Sequence, residues 1–434
     1  MPEKKKKVLV VTYYWLPQSG TGTYRISKFV KYLLKEGWEP IILTPEKSAA
    51  SFKEESIEPP YDNVKVYRTK IFEPTFFFKS NTGNSLNVTN ASFFLSENLN
   101  LKQRLVRWIR LNIFIPDAKI LWKPFGVKMG KRLIQQEKPD LIFSTSPPPT
   151  THLVARKLAK WSDLKWIADF RDPWTNIYYY ELLKINPISK RINRKLEDKV
   201  IQSADKIITV SDNFFSQKEA KSKNIRIENG YDPEDLNDIK LENERNHKFT
   251  IRYIGSLKTN QFFKNFFLIL KELEQQEEYR NKIKLEFIGY VDPSIREFIA
   301  KQAIKTEINI QGYVPHKEAI KKMASADLLV LAIGQGELSK NVVSTKIYEY
   351  LMVQKPILAF GHPDGTANRI LQETNAGKMF SYKDYQSVRQ YFFEIYNNWL
   401  KNKNYISQIE NSEKYNFYNL TARLHNIFEQ HLNG

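Results

Sequence analysis

Short apolar runs rich in β-branched residues alternate with longer amphipathic segments along most of this chain. The alternation predicts repeated βα units, in which helices cover both faces of a parallel sheet. Each run is short and bounded by turn residues, as expected for strands buried on both faces. The first series of predicted strands comprises Val8–Thr12, Pro40–Thr44, Val64–Tyr67, Leu141–Ser144, Trp166–Ala168 and Ile207–Val210.

A second series of runs follows a polar stretch that extends from Asn229 to Asn246 and is rich in charge. We interpret this stretch as a linker, so that residues 1–235 form one domain and residues 236–414 another, with a last helix at about 415–434 returning to the first. Two doubly wound sheets would each bind ligands at the carboxyl ends of their strands. The second series comprises Phe249–Ile254, Leu285–Ile288, Ile308–Gln311, Leu328–Ile333, Pro356–Phe360 and Lys378–Phe380.

The region from about 71 to 136 interrupts this rhythm, and we interpret it as an insertion in the first domain. Between Leu101 and Gln136, nine Lys or Arg residues accompany a single acid, Asp117, and alternate with large apolar side chains. Such a mixture suits contact with an anionic membrane surface. A helical pair packed on its own domain, with a solvated basic face, explains the pattern equally well.

Composition narrows the class of protein. The 434 residues are 41% apolar and 26% charged, which is typical of globular domains. No stretch approaches the roughly 20 uninterrupted apolar residues of a membrane-spanning helix. The net charge of +19 favours nucleic acid, anionic lipid or phosphorylated substrates as partners. With no cysteine, disulfides and thiolate metal sites are excluded, and we expect a cytoplasmic protein, with the inner membrane face as an alternative location.

The turn after the first strand contains Gly20 and Gly22 and precedes a predicted helix. Glycines let backbone N–H groups approach a phosphate at a helix start, where the helix dipole also favours negative charge. A dinucleotide fingerprint is disfavoured, because it needs a third glycine where Arg25 stands and an acid where Thr44 stands. A tight turn without a ligand remains the alternative interpretation.

A cluster of charges follows the predicted strand at Trp166–Ala168. Asp169, Arg171 and Asp172 lie at its carboxyl end, where buried unpaired charge would be costly and a binding site is the better explanation. A structural ion pair between Arg171 and Asp172 is the alternative.

The segment Ser344–Leu351 opens a predicted helix just after a strand and a glycine-containing loop. Lys346 and Glu349 are three residues apart and therefore share a helix face. A lysine at a helix start suits a diphosphate, and a carboxylate can accept hydrogen bonds from two ribose hydroxyls. The alternative is a simple ion pair on a solvated helix face.

Taken in order, these segments resemble the retaining glycosyltransferases of family 4. The resemblance implies the GT-B fold, in which two Rossmann-like doubly wound parallel-sheet domains face each other across a cleft. It covers nearly the whole chain. The matching segments are the Gly20 and Gly22 loop, Lys138–Asp140, Asp169–Trp174, Ala204–Ser211, Asn229–Asp232, Tyr253–Ser256, Gly312–Pro315, Ala326–Asp327 and Lys346–Leu351.

The resemblance also implies roles for individual residues. The second domain would hold a nucleotide sugar, with Glu349 on the ribose and a basic residue, Lys264, on the diphosphate. The catalytic set at the border of the reacting sugar would be Asp169, Arg171 and Asp172. The donor-binding set would be Gly20, Gly22, Gly255, Lys264, Ser344, Thr345, Lys346 and Glu349.

Two departures from the family pattern are visible. The family pairs Glu349 with a second glutamate eight positions earlier, and we assign that position to Val342. An arginine often follows the glycine of the first strand in the second domain, and Ser256 stands there, so that Lys264 and Lys258 are left to neutralise the leaving group.

The predicted function is retaining transfer of a sugar from a UDP- or GDP-sugar to a hydroxyl acceptor, in cell-surface polysaccharide or lipid-linked glycan synthesis. No cofactor and no metal are expected, because no Asp-x-Asp motif lies at a strand end and no histidines are paired at helical spacing. His152 and His316 are interpreted as surface or helix-start residues. A GT-B nucleotide-sugar epimerase, or a noncatalytic basic module that binds nucleic acid or anionic membrane, are the alternatives.

Overall fold

The computed structural model divides into two compact units. One contains Met1–Glu228 with Tyr418–Gly434, and the other contains Asn229–Phe417. The described residues are 5–18, 20–46, 64–72, 100–176, 180, 183–212, 214–215, 217–237, 239, 247–277, 279–401 and 408–432.

The first unit is built on a parallel sheet of seven strands in the order β3-β2-β1-β4-β5-β6-β7. The strands are β1 Lys7–Thr12, β2 Glu39–Pro45, β3 Lys65–Thr69, β4 Leu141–Ser146, β5 Lys165–Phe170, β6 Lys206–Thr209 and β7 Asn224–Arg226. The helices are α1 Thr21–Lys35, α2 Leu101–Asn112, α3 Lys123–Glu137, α4 Thr150–Ser162, α5 Pro187–Ser203, α6 Lys218–Lys223 and α13 Phe417–Leu432, of which Phe417 belongs to the second unit.

The central strands of this sheet are the most apolar, because helices cover both of their faces. Val10 in β1 is flanked by Ile42 in β2 and Phe143 in β4, and all three are fully buried. The strand order reverses direction between β1 and β4, so that the turns after these two strands lie beside each other at a topological switch point. Open α/β sheets bind ligands at such points.

Helix α3 belongs to the core of the first unit rather than to an insertion. Its Gly126 packs on Val154 and Trp122, its Gly130 on Leu158, and its Leu133 is fully buried. It is therefore the crossover helix between β3 and β4, and the region predicted as an insertion at 71–136 is shorter than its sequence pattern indicates. Residues 73–99 of that region lie outside the described residues.

The C-terminal helix α13 packs within the first unit. The indole of Trp38 donates a hydrogen bond to Nδ1 of His425 at 3.0 Å, and the Phe428 ring packs against Trp38 and Phe143 at centroid distances of 5.1 and 5.5 Å. The burial of these aromatic rings explains why residues 418–434 belong to the first unit.

The second unit has a parallel sheet of six strands in the order β10-β9-β8-β11-β12-β13, with its switch point between β8 and β11. The strands are β8 Phe249–Ile254, β9 Ile283–Ile288, β10 Glu307–Gln311, β11 Leu328–Ala332, β12 Ile357–Phe360 and β13 Gly377–Phe380. The helices are α7 Lys264–Leu273, α8 Pro293–Lys301, α9 His316–Ala324, α10 Lys346–Met352, α11 Thr366–Glu373 and α12 Tyr385–Lys401.

The predicted fold class is confirmed: both units are doubly wound parallel α/β sheets, and each of the twelve predicted strands overlaps an observed strand. Among the strands that the described residues form, only β7 has no counterpart among the predictions. Its three residues, Asn224–Arg226, include a single apolar side chain, so no hydrophobic run marks it. Across the described ranges, no helix has the length and apolar character needed to cross a membrane.

Candidate functional site

In the second unit, a glycine ends the strand beside the switch point. Gly255 follows β8 with a φ of 119°, a conformation that L side chains rarely adopt. A Cβ at this position would overlap Cε and Nζ of Lys346. Gly289, after β9, has a φ of 118°, and a Cβ there would lie 2.6 Å from the carbonyl oxygen of Gly255. The missing side chain at Gly255 thus leaves room for Lys346, and the missing side chain at Gly289 leaves room for the backbone of Gly255.

Lys346 begins α10 and is half-buried, with its ammonium group against the ring of Tyr253. Nζ is 3.4 Å from the hydroxyl oxygen of Tyr253 and 4.8 Å from the centroid of that ring. Burial lowers the pKa of Lys346 to about 8; the positive charge of Lys258 acts in the same direction, while the negative charge of Glu349 opposes it. An ammonium group that has lost much of its hydration is poised to bind an anion.

From the lowered pKa of Lys346 we expect the affinity for a diphosphate to depend on pH. A bound diphosphate favours the protonated amine, so affinity should be highest below the pKa of about 8 and fall about tenfold for each pH unit above it. Calorimetric titration of UDP at several pH values measures this directly. The Lys346→Met variant should show no such fall, and an equal fall in that variant would assign the titration to another group.

The contribution of Lys346 to the stability of the fold changes with pH in the opposite direction to nucleotide affinity. The pKa of Lys346 is lower in the folded protein than its ordinary value of 10.5, so the unfolded chain binds more protons between pH 8 and 10.5. The contribution of this lysine to the free energy of unfolding therefore rises with pH over that interval. Above pH 8, nucleotide affinity should therefore fall while the contribution of Lys346 to the free energy of unfolding rises.

Glu349 lies one helical turn after Lys346, as its spacing predicts, and its carboxylate is held by a histidine. Nε2 of His316, the first residue of α9, is 2.8 Å from Oε1 of Glu349. The carboxylate is partly exposed, so its other oxygen can accept hydrogen bonds from a ligand. The interpretation of His316 as a surface or helix-start residue misses this contact, since the two residues are 33 positions apart in sequence.

The other predicted donor-binding residues of the second unit have different surroundings. Lys264 is exposed at the first position of α7, with its ammonium 5.2 Å from the centroid of the Phe298 ring. Ser344 and Thr345 are half-buried just before α10, where their carbonyl oxygens accept hydrogen bonds from Ile347 and Tyr348, both at 3.2 Å. Gly255, Lys346 and Glu349 are thus brought together, while the contact of Lys264 is with Phe298.

Replacing Gly255 by alanine tests the packing of Lys346. The added Cβ would displace the lysine, and the positive φ would cost about 1–2 kcal/mol of stability. We expect a lower melting temperature and the loss of stabilisation by UDP or GDP, both measured by thermal denaturation. Gly312→Ala is the matched control, because a Cβ there would meet no atom within 4 Å. Retained nucleotide stabilisation in Gly255→Ala would contradict the role of this contact.

In the first unit, the turn after β1 packs on an arginine from the end of β5. Gly20 precedes α1 with a φ of 125°, and Gly22 lies in the first turn of that helix. A Cβ on Gly22 would lie 2.7 Å from Nη2 of Arg171. The guanidinium donates from Nε to the carbonyl oxygen of Ser146 and from Nη2 to that of Pro147, both at 3.1 Å. Gly22 and Arg171 are therefore neighbours at the switch point.

Asp169 is fully buried, and both of its carboxylate oxygens are engaged. Arg25 donates to them from Nε at 3.2 Å and from Nη2 at 2.8 Å, and the hydroxyl of Thr145 donates at 2.7 Å. The same guanidinium donates to the carbonyl oxygens of Ile227 and Glu228. The pair of Asp169 and Arg25 thus links β5 to α1, to β4 and to the segment after β7, whereas Asp172 is exposed.

The position that the family fills with a second glutamate has no carboxylate in this chain. Counting back eight positions from Glu349 reaches Asn341, so the assignment of the missing glutamate to Val342 is wrong by one residue; both positions are exposed and neither has a carboxylate. In the part of the chain that the structure describes, no group of three or more His, Asp or Glu side chains is arranged to hold a metal ion.

Similarity to known proteins points to one family. Residues 23–235 match the sequence profile of Glycosyltransferase Family 4. No curated protein matches the chain in sequence.

Among solved structures, HepE of Anabaena in complex with UDP and glucose is 12% identical, with a TM-score of 0.58, and the alignment covers 98% of this chain and 100% of HepE. WaaG, a glycosyltransferase involved in lipopolysaccharide biosynthesis, is 10% identical with a TM-score of 0.54, over 97% of this chain and 99% of WaaG. A candidate UDP-N-acetylglucosamine 2-epimerase from Listeria monocytogenes is 12% identical with a TM-score of 0.54, over 99% of this chain and 97% of its own. At these identities the likeness is one of fold.

Proposed function

Because residues 23–235 match the sequence profile of Glycosyltransferase Family 4 and the chain has the GT-B fold, we propose that this protein transfers a sugar from a UDP- or GDP-sugar to a hydroxyl acceptor. The product would retain the configuration of the donor. The acceptor would be a cell-surface polysaccharide or a lipid-linked glycan. HepE was solved with UDP and glucose, which supports UDP as the nucleotide.

The observation that carries this proposal is the cluster of Gly255, Lys346 and Glu349 at the switch point of the second unit. The desolvated ammonium of Lys346 would bind the diphosphate and stabilise its negative charge as the bond to the sugar breaks. Such preorganised electrostatic stabilisation is usually the largest single term in catalysis. Glu349, oriented by His316, would accept hydrogen bonds from the ribose hydroxyls.

The residues of the first unit take two roles in this proposal. Arg171 and Asp172 would border the reacting sugar and orient the acceptor hydroxyl, while Gly20 and Gly22 would let backbone N–H groups approach the donor. Asp169 would act indirectly, since its carboxylate already binds Arg25 and Thr145. It would be a positioning residue that holds the start of α1, where Gly22 lies, beside the end of β5, where Arg171 lies.

Incubation with candidate sugar nucleotides tests the proposal. A glycosyltransferase without its acceptor should slowly hydrolyse its own donor, releasing UDP or GDP and a free sugar whose first-formed anomer, followed by NMR, keeps the donor configuration. Release of the opposite anomer would contradict retention. No turnover and no stabilisation by any nucleotide, together with salt-sensitive DNA binding, would favour the noncatalytic module.

The epimerase remains the second candidate, because a protein named as a candidate epimerase has the same fold at a similar TM-score. The two activities give different products in the same experiment. An epimerase would return an altered sugar still attached to its nucleotide, whereas a transferase would separate the sugar from the nucleotide. The match to the family 4 profile favours the transferase.

A further inference from the structure

Helix α2 carries apolar residues on its outer face. Leu101 and Leu105 are 84% and 58% exposed, and Trp108 is also exposed, while Val106 and Arg107 point inward and are buried. Positions 101, 104, 105 and 108 form one stripe along a helix, so Arg104 lies among these apolar side chains. A surface helix normally presents the opposite arrangement, with its apolar stripe toward the core.

The beginning of helix α5 repeats this arrangement. Ile188 is 73% exposed and Ile192 is exposed, at the spacing of one helix face, and the cations Arg191 and Lys195 share that face. Buried polar residues, among them Ser189, lie on the other side of the helix. Two helices therefore expose isoleucine, leucine or tryptophan together with Lys and Arg.

Hydrogen bonds hold the end of α2 against the start of α5. Asn112, the last residue of α2, accepts a hydrogen bond from the backbone N–H of Asn186 at 2.7 Å, and its carbonyl oxygen accepts one from the hydroxyl of Ser189 at 3.0 Å. Lys184 also lies close to α2, because it lines one hollow together with Arg104, Arg107 and Trp108. The exposed residues of the two helices thus belong to one region, which we call the α2–α5 surface.

Among the residues that the structure describes, the charged side chains of the α2–α5 surface are all cations. Neither the twelve residues of α2 nor residues 187–196 of α5 include an acid, and the exposed cations are Lys102, Arg104, Lys184, Arg191, Arg194 and Lys195. Exposed apolar groups embedded in positive charge match the interface of an anionic bilayer, which takes up apolar side chains while its headgroups attract cations. Nucleic acid would use the cations but would leave the leucines and isoleucines without a partner.

We propose that the α2–α5 surface docks this protein on a membrane that contains anionic lipids. The apolar residues of α2 and α5 would enter the headgroup region, and the surrounding Lys and Arg would contact lipid phosphates. This proposal is independent of the nucleotide site in the second unit. It would place a glycosyltransferase beside acceptors that are carried on lipids.

Cosedimentation of the full chain with lipid vesicles tests the proposal. We expect binding to vesicles of phosphatidylcholine mixed with phosphatidylglycerol, little binding to phosphatidylcholine alone, and weakening by added salt. The variant Leu105→Glu with Trp108→Glu should partition about tenfold less, because it exchanges two apolar anchors for charges that the anionic surface repels. The matched control is Leu268→Glu with Leu400→Glu, which alters two exposed leucines on helices of the second unit.

Three results would overturn the proposal. These are absence of wild-type binding to anionic vesicles, an equal loss in both double variants, and self-association of the wild type without lipid that the Leu105 and Trp108 changes abolish. The last result would make the surface an interface between two copies of the chain. Unchanged melting temperatures and unchanged stabilisation by UDP in both variants would separate a failure of membrane docking from a failure of folding or of nucleotide binding.

Discussion

Replacing Asp169 by alanine is expected to lower the free energy of unfolding by about 3–5 kcal/mol, the usual cost of removing one partner of a buried ion pair. The carboxylate is fully buried, and its loss would leave the guanidinium of Arg25 without a counter-charge and the hydroxyl of Thr145 without an acceptor. Urea denaturation of the wild type and the variant measures the difference.

Two control variants test whether the loss of stability comes from breaking the buried ion pair. Asp172→Ala changes a neighbouring but exposed carboxylate and should alter stability by less than about 0.5 kcal/mol. Combining Asp169→Leu with Arg25→Met removes both charges and should recover much of the lost stability, since a buried pair can often be replaced by apolar side chains. A small effect of Asp169→Ala alone would mean that Asp169 is not the positioning residue inferred from its contacts.

Replacing Lys346 by methionine is expected to reduce kcat/KM for sugar release by about 100- to 1,000-fold, the range found when one preorganised charge-stabilising group is removed from an active site. Methionine matches the length of the aliphatic part of lysine, and the ammonium is already desolvated, so the fold should be retained or stabilised. Steady-state release of UDP or GDP from the preferred donor measures the effect.

Lys355→Met is the matched control for this experiment. Lys355 is also half-buried, and burial lowers its pKa. It precedes β12 and so lies at the amino ends of the strands, whereas Gly255 and Lys346 lie at the carboxyl ends of the same sheet. Its replacement should leave kcat/KM within a few-fold of the wild type. Equal losses in the two variants would indicate a general electrostatic or structural effect instead of leaving-group stabilisation by Lys346.

The hydrophobic pattern predicted the two sheets because their strands are buried on both faces, so that each appears as a continuous apolar run. The same criterion fails where burial is incomplete. Strand β7 has one apolar residue in three, and nothing separates it from a loop. The sequence pattern places helix α3 in an insertion because its four cations and the exposed Phe125 hide the small residues, Gly126 and Gly130, that pack it on α4 and on the residue before it, Trp122.

The site was predictable where its residues are close in sequence or follow a strand directly. Lys346 and Glu349 share a helix turn, and Gly255 ends a strand. Contacts between distant segments left no such signal. Arg25 departs from a glycine fingerprint, but only the folded chain shows that its guanidinium crosses the unit to Asp169, 144 positions away. The pairing of His316 with Glu349 depends in the same way on the packing of two helices.

Calorimetric titration of UDP and GDP into the wild type and the Glu349→Ala variant tests the central claim most directly. A carboxylate that accepts two ribose hydrogen bonds contributes about 1.5–3 kcal/mol for each, so the variant should bind at least a hundredfold more weakly. Its melting temperature without nucleotide should stay close to that of the wild type. Saturable binding by the wild type and near-complete loss in Glu349→Ala is the predicted result; equal affinities in the two proteins would contradict it.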